Sequence, residues 1–134
     1  MEFITDPSQT KLFGPLGEEA YVFEEYNMTL NSHSKGVSPS VFEETEVGAF
    51  YWATSVSIDD EGEPFVATLE AFDYPFFGTQ FHPEKVLATF YPSSNVNHSE
   101  KSVYYNRYFA DFFVDQTKRN FNQFESWEEE QSWQ

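Results

Sequence analysis

The segment YPFFGTQFHPEK, residues 74–85, is the stretch that decides the fold of this 134-residue chain. Its aromatic and β-branched residues favour a short, mostly buried strand, and Pro83 cannot continue a hydrogen-bonded ladder. We therefore expect the strand to end at His82, and the carboxyl ends of strands are where open α/β sheets hold ligand-binding and catalytic groups. Glu84 lies two residues further on, where its carboxylate can accept a hydrogen bond from the His82 ring and fix its tautomer.

Two runs rich in aromatic and β-branched residues precede this stretch, GAFYWATSVS at 48–57 and FVATLEAF at 65–72. The polar segment 58–64 between them contains glycine and proline, so the runs predict a hairpin with an exposed tip. With the strand before His82, the hairpin makes an antiparallel meander. The acidic residues of the tip could suggest a calcium loop, but they lack the ligand spacing and closing glutamate of an EF-hand, and a solvated turn is favoured.

A long helix is predicted after the meander, with Ser99 as its N-cap and an end near Asn120. Residues 86–98, before it, show little regular pattern and predict a surface loop over the site, a candidate lid; His98 in this loop is given no role. The helix carries two rows of apolar residues at four-residue spacing, which indicates an amphipathic face that packs across the sheet. The rows are Tyr104, Tyr108 and Phe112, and Tyr105, Phe109 and Phe113.

Shorter elements are predicted in the first part of the chain. They are a strand at 1–5, a helix at 18–26, a strand at 28–37 and one helical turn that begins at Pro39 after its cap, Ser38. His33 lies near the end of the second of these strands. From spacing alone, a histidine there is more often a surface residue without a task than part of a site.

The composition limits the classes of function. A net charge of −16 and a pI near 4.2 argue against nucleic acid or an anionic membrane as a partner, because both would repel the chain. An aromatic content of 20% is far above that of disordered chains and is enough for a packed core. The sequence has no cysteine, so it contains no thiol nucleophile.

Three motifs resemble one family. HPE at 82–84, NSHSKGVSP at 31–39 and YYNRYFADFFVDQTKRN at 104–120 resemble the class I glutamine amidotransferase-like domains, and most closely the γ-glutamyl hydrolases, which remove glutamates from folate poly-γ-glutamate. In that family a cysteine attacks the amide, the histidine of the His-Pro-Glu motif is the base and the glutamate orients it. The resemblance implies that His82 and Glu84 are catalytic, that His33 lies beside the substrate, and that neither a cofactor nor a metal takes part.

The resemblance extends from about residue 3 to about residue 120 and lacks the half that bears the nucleophilic cysteine. It implies an α/β chain that forms the C-terminal part of a flavodoxin-like class I glutamine amidotransferase fold, with a mixed sheet, an antiparallel hairpin and a long C-terminal helix. We expect this unit at 1–124 and an acidic, tryptophan-containing tail at 125–134. Such a half exposes a sheet edge and a face that something must cover.

The expected partners follow from that missing half. They are the N-terminal half of the same domain or another protein chain, a second copy in a dimer, and poly-γ-glutamate as substrate; nucleic acid and membrane insertion are not expected. Two functions stay open. The chain is either the histidine- and glutamate-bearing part of a γ-glutamyl hydrolase or a catalytically inactive remnant that serves as a structural subunit of a larger complex. The net charge alone suggests a third, weaker reading, an acidic module that binds a cationic partner.

Two triplets bear on location. Asn27 and Asn97 each begin an Asn-x-Ser/Thr sequon, a pattern that matters only in the secretory pathway and that also recurs by chance. The first ten residues show neither the basic start nor the apolar core of a signal peptide. The resemblance and the sequons together predict a lysosomal or secreted protein glycosylated at these two positions.

Overall fold

The computed structural model of the chain describes residues 1–91 and 95–133. In this part of the chain four strands form one sheet in the order β1-β2-β3-β4, and every neighbouring pair is antiparallel. The predicted meander, the hairpin within it and the combination of helices with a sheet are therefore confirmed, but the sheet is antiparallel throughout the described residues and not mixed, because its strands follow one another through short connections or pair at the edge of the hairpin. The strands are β1 (Glu2–Phe3), β2 (Tyr51–Ile58), β3 (Pro64–Ala71) and β4 (Phe77–Thr79).

Six α-helices lie in the described residues, and only one of them is long. Two 3₁₀ segments, Pro7–Gln9 and Gly14–Tyr21, precede them. The long helix begins after Ser99, whose side chain accepts a hydrogen bond from the backbone N–H of Ser102, so the predicted N-cap is confirmed. The helices are α1 (Val22–Glu25), α2 (Pro39–Glu43), α3 (Glu46–Phe50), α4 (Pro83–Ala88), α5 (Glu100–Thr117) and α6 (Trp127–Ser132).

The hairpin of β2 and β3 closes through its acidic tip. A carboxylate oxygen of Asp59 accepts hydrogen bonds from the backbone N–H groups of Glu61 and Glu63, both at 2.9 Å. Gly62 has φ +90°, a conformation that side chains rarely adopt, and this explains the glycine in the turn. The Asp59 carboxylate thus stabilises the turn by accepting its backbone N–H groups.

The main core lies where α5 packs on the sheet, as the amphipathic pattern predicted. Phe112 meets Phe77 of β4 edge to face at 4.8 Å between ring centroids, and Phe109 meets Phe81 in the same way at 5.3 Å. Phe13 is fully buried among these rings. A separate, smaller cluster joins Phe42 of α2 to Ala53 and Val66 of the hairpin. The buried members of the main core are Leu12, Phe13, Ala20, Val22, Phe23, Met28, Phe81, Phe109 and Phe112.

The face that α5 buries differs from the two predicted rows. Tyr104 and Phe113 are 67% and 66% exposed, whereas Ser102 and Asn106 are almost completely buried. A helix turns once in 3.6 residues, so a row with strict four-residue spacing drifts away from the core. The buried positions advance by four and then by three residues, which follows the core more closely.

Two predicted strands were wrong or too long. Residues 28–37 have no regular structure, because β4 ends at Thr79 and offers no ladder there. One backbone hydrogen bond, from Val66 of β3 to the Val37 carbonyl, ties this segment to the sheet, and another joins the Leu30 carbonyl to His82. The strand predicted from Gly48 begins only at Tyr51, because α3 occupies the residues before it. Gly48 passes so close to the backbone of Phe42 and Glu43 that a Cβ has no room.

Two further predictions required smaller corrections. The helix predicted at 18–26 is shorter and is preceded by the 3₁₀ segment, and α1 ends at Glu25. The loop predicted at 86–98 begins later, because α4 extends to Ala88. Residues 92–94 of the candidate lid lie outside the described residues.

Candidate active site

His82 stands at the start of a helix rather than at the end of a strand. After β4 the chain keeps one more sheet contact, from the backbone N–H of Gln80 to the Ala67 carbonyl, and then turns away. His82 is the N-cap of α4, with φ −105° and ψ 86°, and Pro83 occupies the first helical position. Proline biases the residue before it towards an extended conformation and is favoured at the first position of a helix. Pro83 therefore both excludes a continued strand at His82 and begins α4.

The predicted contact between His82 and Glu84 is present. Nδ1 of His82 lies 2.9 Å from Oε1 of Glu84, and the two side chains are 34% and 65% exposed. An ionised carboxylate can only accept, so Nδ1 carries the proton, and in the neutral ring Nε2 holds the lone pair. Among the described residues nothing hydrogen-bonds to Nε2. The pair therefore leaves Nε2 without a hydrogen-bond partner in the described residues, with a carboxylate on the opposite ring nitrogen.

Neighbouring contacts hold this corner in place. Phe81, on one side of His82, is buried against α5. Val86, within α4, is fully buried, and its carbonyl accepts a hydrogen bond from Nδ1 of His98 at 2.9 Å. The His98 ring stacks on Phe90 with 4.5 Å between centroids. His98 thus packs against the end of α4, and this contact is structural.

His33 lies in the irregular segment and is fully engaged by its neighbours. Nδ1 is 2.9 Å from the Lys35 carbonyl oxygen, and Nε2 is 3.1 Å from Oδ1 of Asn31. The ring also meets Phe65 edge to face, with 5.1 Å between centroids. The sequence pointed to His33 but not to its contact with Asn31. The available signal was the position of Asn31, two residues before a candidate histidine.

The segment that carries His33 reaches the His82 corner. The backbone N–H of His82 donates to the Leu30 carbonyl at 2.8 Å. Phe65, on which His33 packs, lies near the start of β3, three residues before Thr68, which pairs with Thr79 at the end of β4. Both histidines therefore belong to the same end of the sheet.

A buried asparagine, also missed from the sequence, fixes the beginning of this segment. Asn106 of α5 is 1% exposed, and its Nδ2 donates to the carbonyls of Met28 and Ser102 at 3.0 and 2.9 Å. The long helix thereby holds Met28, two residues before the carbonyl that receives the His82 N–H. One asparagine within an aromatic helix was the only signal for this contact.

A cavity of about 510 Å³ opens beside Glu84. It lies between β4, α4 and α5, and its lining is largely apolar. β4 is an edge strand of the four-stranded sheet in the described part of the chain, so the cavity adjoins an open sheet edge. The lining includes Leu12, Phe77, Glu84, Leu87, Asn106 and Phe112.

The two sequon asparagines are neighbours. Both residues are exposed, and Nδ2 of Asn97 donates to the Asn27 carbonyl at 2.9 Å. Oδ1 of Asn97 accepts from the backbone N–H of Ser99 at 3.0 Å. The candidate acceptor nitrogen of Asn97 is thus used inside the fold, whereas the structure records no side-chain hydrogen bond of Asn27 in the described residues.

Two further features concern metals and membranes. No group of three or more His, Cys, Asp or Glu side chains in the described residues is placed to hold a metal ion. None of the helices in residues 1–91 and 95–133 combines the length and the apolar character that crossing a bilayer requires.

Comparison of the sequence with known proteins finds several relatives, all of them named γ-glutamyl hydrolases. The γ-glutamyl hydrolase of Rattus norvegicus is 30% identical over 128 residues, which cover 94% of this chain and 40% of that protein. The γ-glutamyl hydrolase of Homo sapiens is 30% identical over 105 residues, 78% of this chain and 33% of that protein. γ-Glutamyl hydrolase B of Dictyostelium discoideum is 29% identical over 98 residues. This chain is homologous to part of the γ-glutamyl hydrolases.

The homology confirms the resemblance that the three motifs indicated. The chain spans between 28% and 40% of the length of the γ-glutamyl hydrolases compared, a share consistent with the C-terminal half. The mixed α/β structure with its hairpin and long helix agrees with a γ-glutamyl hydrolase-related fold. No family model matches the chain.

Proposed function

We propose that this chain supplies the base and its orienting carboxylate to a γ-glutamyl hydrolase that acts on folate-type poly-γ-glutamate. The observation that carries the proposal is the contact of 2.9 Å between His82 Nδ1 and Glu84 Oε1, which leaves Nε2 open in a chain homologous to these hydrolases. The nucleophilic cysteine then comes from outside these 134 residues, since the chain has none.

The chemistry asked of the two side chains is proton transfer. His82 Nε2 takes the proton of the attacking thiol and later gives it to the amine that leaves when the γ-amide breaks. The cysteine sulfur is then bonded to the γ-carbonyl carbon as a thioester. Water attacks that carbon while His82 removes its proton, the C–S bond breaks to release the γ-carboxylate, and His82 returns the proton to the cysteine sulfur. The Glu84 carboxylate holds the ring in the Nδ1–H tautomer and stabilises the imidazolium formed in each half-reaction.

The hydroxyls near the site are poor substitutes for the missing thiol. Thr79 donates its hydroxyl hydrogen to the Phe81 carbonyl at 3.2 Å. Ser32 and Ser34 lie in the irregular segment and are not on a sharp turn between a strand and a helix, the arrangement that exposes nucleophilic serines. A companion that brings the cysteine is therefore part of the proposal.

The open edge of β4 and the cavity of about 510 Å³ beside Glu84 support one place for that companion. An added strand would satisfy the edge, and apolar side chains beneath it would fill the cavity. The companion would then meet this chain next to the His82 corner, where its cysteine is needed. We assign this surface to the cysteine-bearing half of the enzyme or to a separate chain that contains it.

The substrate is an anion, and this chain has a net charge of −16. Lys35 follows His33 by two residues, and Lys85 follows Glu84 directly. These two cations lie within two residues of the proposed site residues. They can offset the repulsion between the acidic chain and a poly-γ-glutamate substrate.

The test is hydrolysis of a γ-glutamyl peptide by the complex of this chain with its cysteine-bearing companion. His82→Ala should lose about 10²–10⁴-fold in kcat, the usual contribution of a general base. Glu84→Gln should lose at least about tenfold, because an amide can donate to the ring and favour the wrong tautomer. Glu63→Gln, at the exposed hairpin tip, is the matched control and should keep full activity. Full activity of the His82→Ala complex would reject the role.

A non-catalytic structural subunit is the second candidate function. The observation that favours it is an exposed stack of Phe50, Tyr74 and Phe76, with ring centroids 5.5 to 6.2 Å apart. Exposed aromatic groups of this kind are typical of contact surfaces. If this is the function, the purified complex contains other proteins but no γ-glutamyl hydrolase activity, and His82→Ala does not change its composition.

We also propose that the protein enters the secretory pathway and is glycosylated at Asn27 and Asn97. The exposure of both asparagines supports this. Protein from a secreting eukaryotic cell should shift in mass on treatment with an N-glycosidase. The shift should disappear in an Asn27→Gln, Asn97→Gln double variant. An unshifted wild-type mass would contradict the proposal.

A further inference from the structure

We infer that the companion fills the cavity beside Glu84 with a neutral aromatic side chain, a tryptophan or a tyrosine, that donates one hydrogen bond to Oδ1 of Asn106. That the companion is the cysteine-bearing half, or a chain that contains it, rests on the proposed function. The chemistry of the contact follows from the residues of this chain.

Asn106 of α5 carries a buried acceptor that has no donor. Its Nδ2 donates to the carbonyls of Met28 and Ser102, at 3.0 and 2.9 Å. Both carbonyls can only accept, so the carboxamide cannot be turned over and the remaining atom is the oxygen. Oδ1 is buried, and nothing in the described part of the chain hydrogen-bonds to it. Buried polar atoms in folded proteins almost always have a partner, so this oxygen requires a donor from outside these residues.

Asn106 also lines the cavity of about 510 Å³ between β4, α4 and α5. The two other polar side chains of the lining already have partners. The hydroxyl of Thr79 donates to the Phe81 carbonyl at 3.2 Å, and Glu84 contacts His82 at 2.9 Å. The apolar part of the lining includes Leu12, Phe77, Leu87, Phe109 and Phe112. An occupant of the cavity therefore meets an apolar wall with one acceptor that lacks a donor.

The two edges of the sheet indicate where the occupant comes from. At the β1 edge the backbone N–H of Phe3 donates to Oε1 of Glu24 at 2.6 Å, so a carboxylate already blocks that edge. At the opposite edge no further strand follows β4 within residues 1–91 and 95–133. The chain matches only 28% to 40% of the length of its relatives, so most of each relative lies outside the matched part. A companion strand beside β4 can send a side chain into the cavity.

Tryptophan and tyrosine fit this combination of an apolar wall and one acceptor. Each has an apolar ring and a single donor group, the indole N–H or the phenol O–H. A lysine or arginine would place a charge among apolar side chains, and a leucine or phenylalanine would leave Oδ1 without a donor. Because the indole N–H only donates, tryptophan also brings no acceptor that would need a partner of its own.

The first experiment titrates the full 134-residue chain with indole and with 1-methylindole, which has nearly the same shape but no N–H. NMR signals of the Asn106 carboxamide report on the site. Indole should shift these signals, and 1-methylindole should bind about three- to tenfold more weakly, the effect of one lost hydrogen bond. Ala110→Trp, in the cavity lining, should block indole. Ala88→Trp, the same change at the exposed end of α4 and outside the lining, is the matched control and should not block it.

The second experiment uses the complex of this chain with its cysteine-bearing companion. The companion fills the cavity there, so indole at a concentration that saturates the free chain should no longer shift the Asn106 signals. Ala110→Trp should raise the Kd of the complex about tenfold or more, because a site that is already occupied cannot accept a second aromatic ring. Ala88→Trp should leave that Kd unchanged.

Two outcomes overturn the inference. One is indole that binds the free chain no better than 1-methylindole does, and the other is a complex that binds indole as tightly as the free chain. Failure of the proposed function is a separate result. A complex that excludes indole but does not hydrolyse γ-glutamyl peptides rejects the proposed function and keeps the contact, whereas a hydrolysing complex that still binds indole rejects the contact alone.

Discussion

Glu70 is a buried carboxylate within an apolar strand, and its removal should destabilise the whole chain. The side chain is 3% exposed and points its two oxygens at the loop before the first core residues. The backbone N–H of Lys11 donates to both oxygens at 3.0 and 2.9 Å, and that of Leu12 donates to one at 3.0 Å. These bonds hold the loop that places Leu12 and Phe13 in the core.

The size of the effect follows from the two N–H groups. Glu70→Ala leaves both without their acceptor, and each unsatisfied buried group costs about 1–3 kcal/mol. The expected loss in the free energy of unfolding is therefore about 2–6 kcal/mol, a large part of the roughly 5–15 kcal/mol typical of a domain. Glu70→Gln keeps one acceptor oxygen and should fall between Glu70→Ala and the wild type.

The assay is urea unfolding followed by tryptophan fluorescence, with the midpoint and slope measured for each variant. Glu63→Ala lies on the exposed tip of the same hairpin and is the control, with a change expected to stay within about 0.5 kcal/mol. If Glu70→Ala is as stable as Glu63→Ala, the loop does not depend on this carboxylate and the reasoning is refuted.

Three further predictions concern α5 and its termini. Burial raises the pKa of Tyr108 to about 12. The neutral phenol therefore stabilises the fold by about 3 kcal/mol at most, fully below pH 10, and this stabilisation is lost as the pH rises through about 12. Tyr108→Phe should remove this part of the alkaline unfolding, measured by circular dichroism. Phe109 is buried, and Phe109→Ala should lower the free energy of unfolding in urea by about 3–5 kcal/mol. Phe113 is exposed, and Phe113→Ala should lower it by less than about 0.5 kcal/mol. Equal losses would contradict the assignment of the buried face of α5. Ser99→Ala should lower stability by about 1 kcal/mol, whereas Ser126→Ala, at the cap of the short α6, should leave the global midpoint unchanged.

The hairpin and the long helix could be predicted because local signals agree with their final packing. β-Branched and aromatic runs flank a polar tip with a glycine at φ +90°, and Ser99 caps a helix with a strong apolar face. The contact between His82 and Glu84 was predictable for a similar reason. Two residues of spacing and a following proline restrict the local geometry without help from distant parts of the chain.

The remaining features depend on contacts between distant residues. α4 has only six residues, and it is held by the burial of Val86 and the hydrogen bond from His98, neither of which shows as periodicity. The irregular path of residues 28–37 depends on Asn106, which is 78 positions from the carbonyl of Met28 that it holds. Sequence patterns report neighbours along the chain, and these two features are decided by neighbours in space.

The central claim is that the His82 and Glu84 pair works with a cysteine that this chain does not contain. The most direct measurement is the intact mass of the native protein, with peptide mapping of everything that co-purifies and an assay of γ-glutamyl peptide hydrolysis before and after thiol alkylation. We predict hydrolysis that elutes with this sequence and with a cysteine-bearing companion or extension, and that alkylation abolishes it. A mass of 15.7 kDa with no such companion and no hydrolysis would contradict the claim.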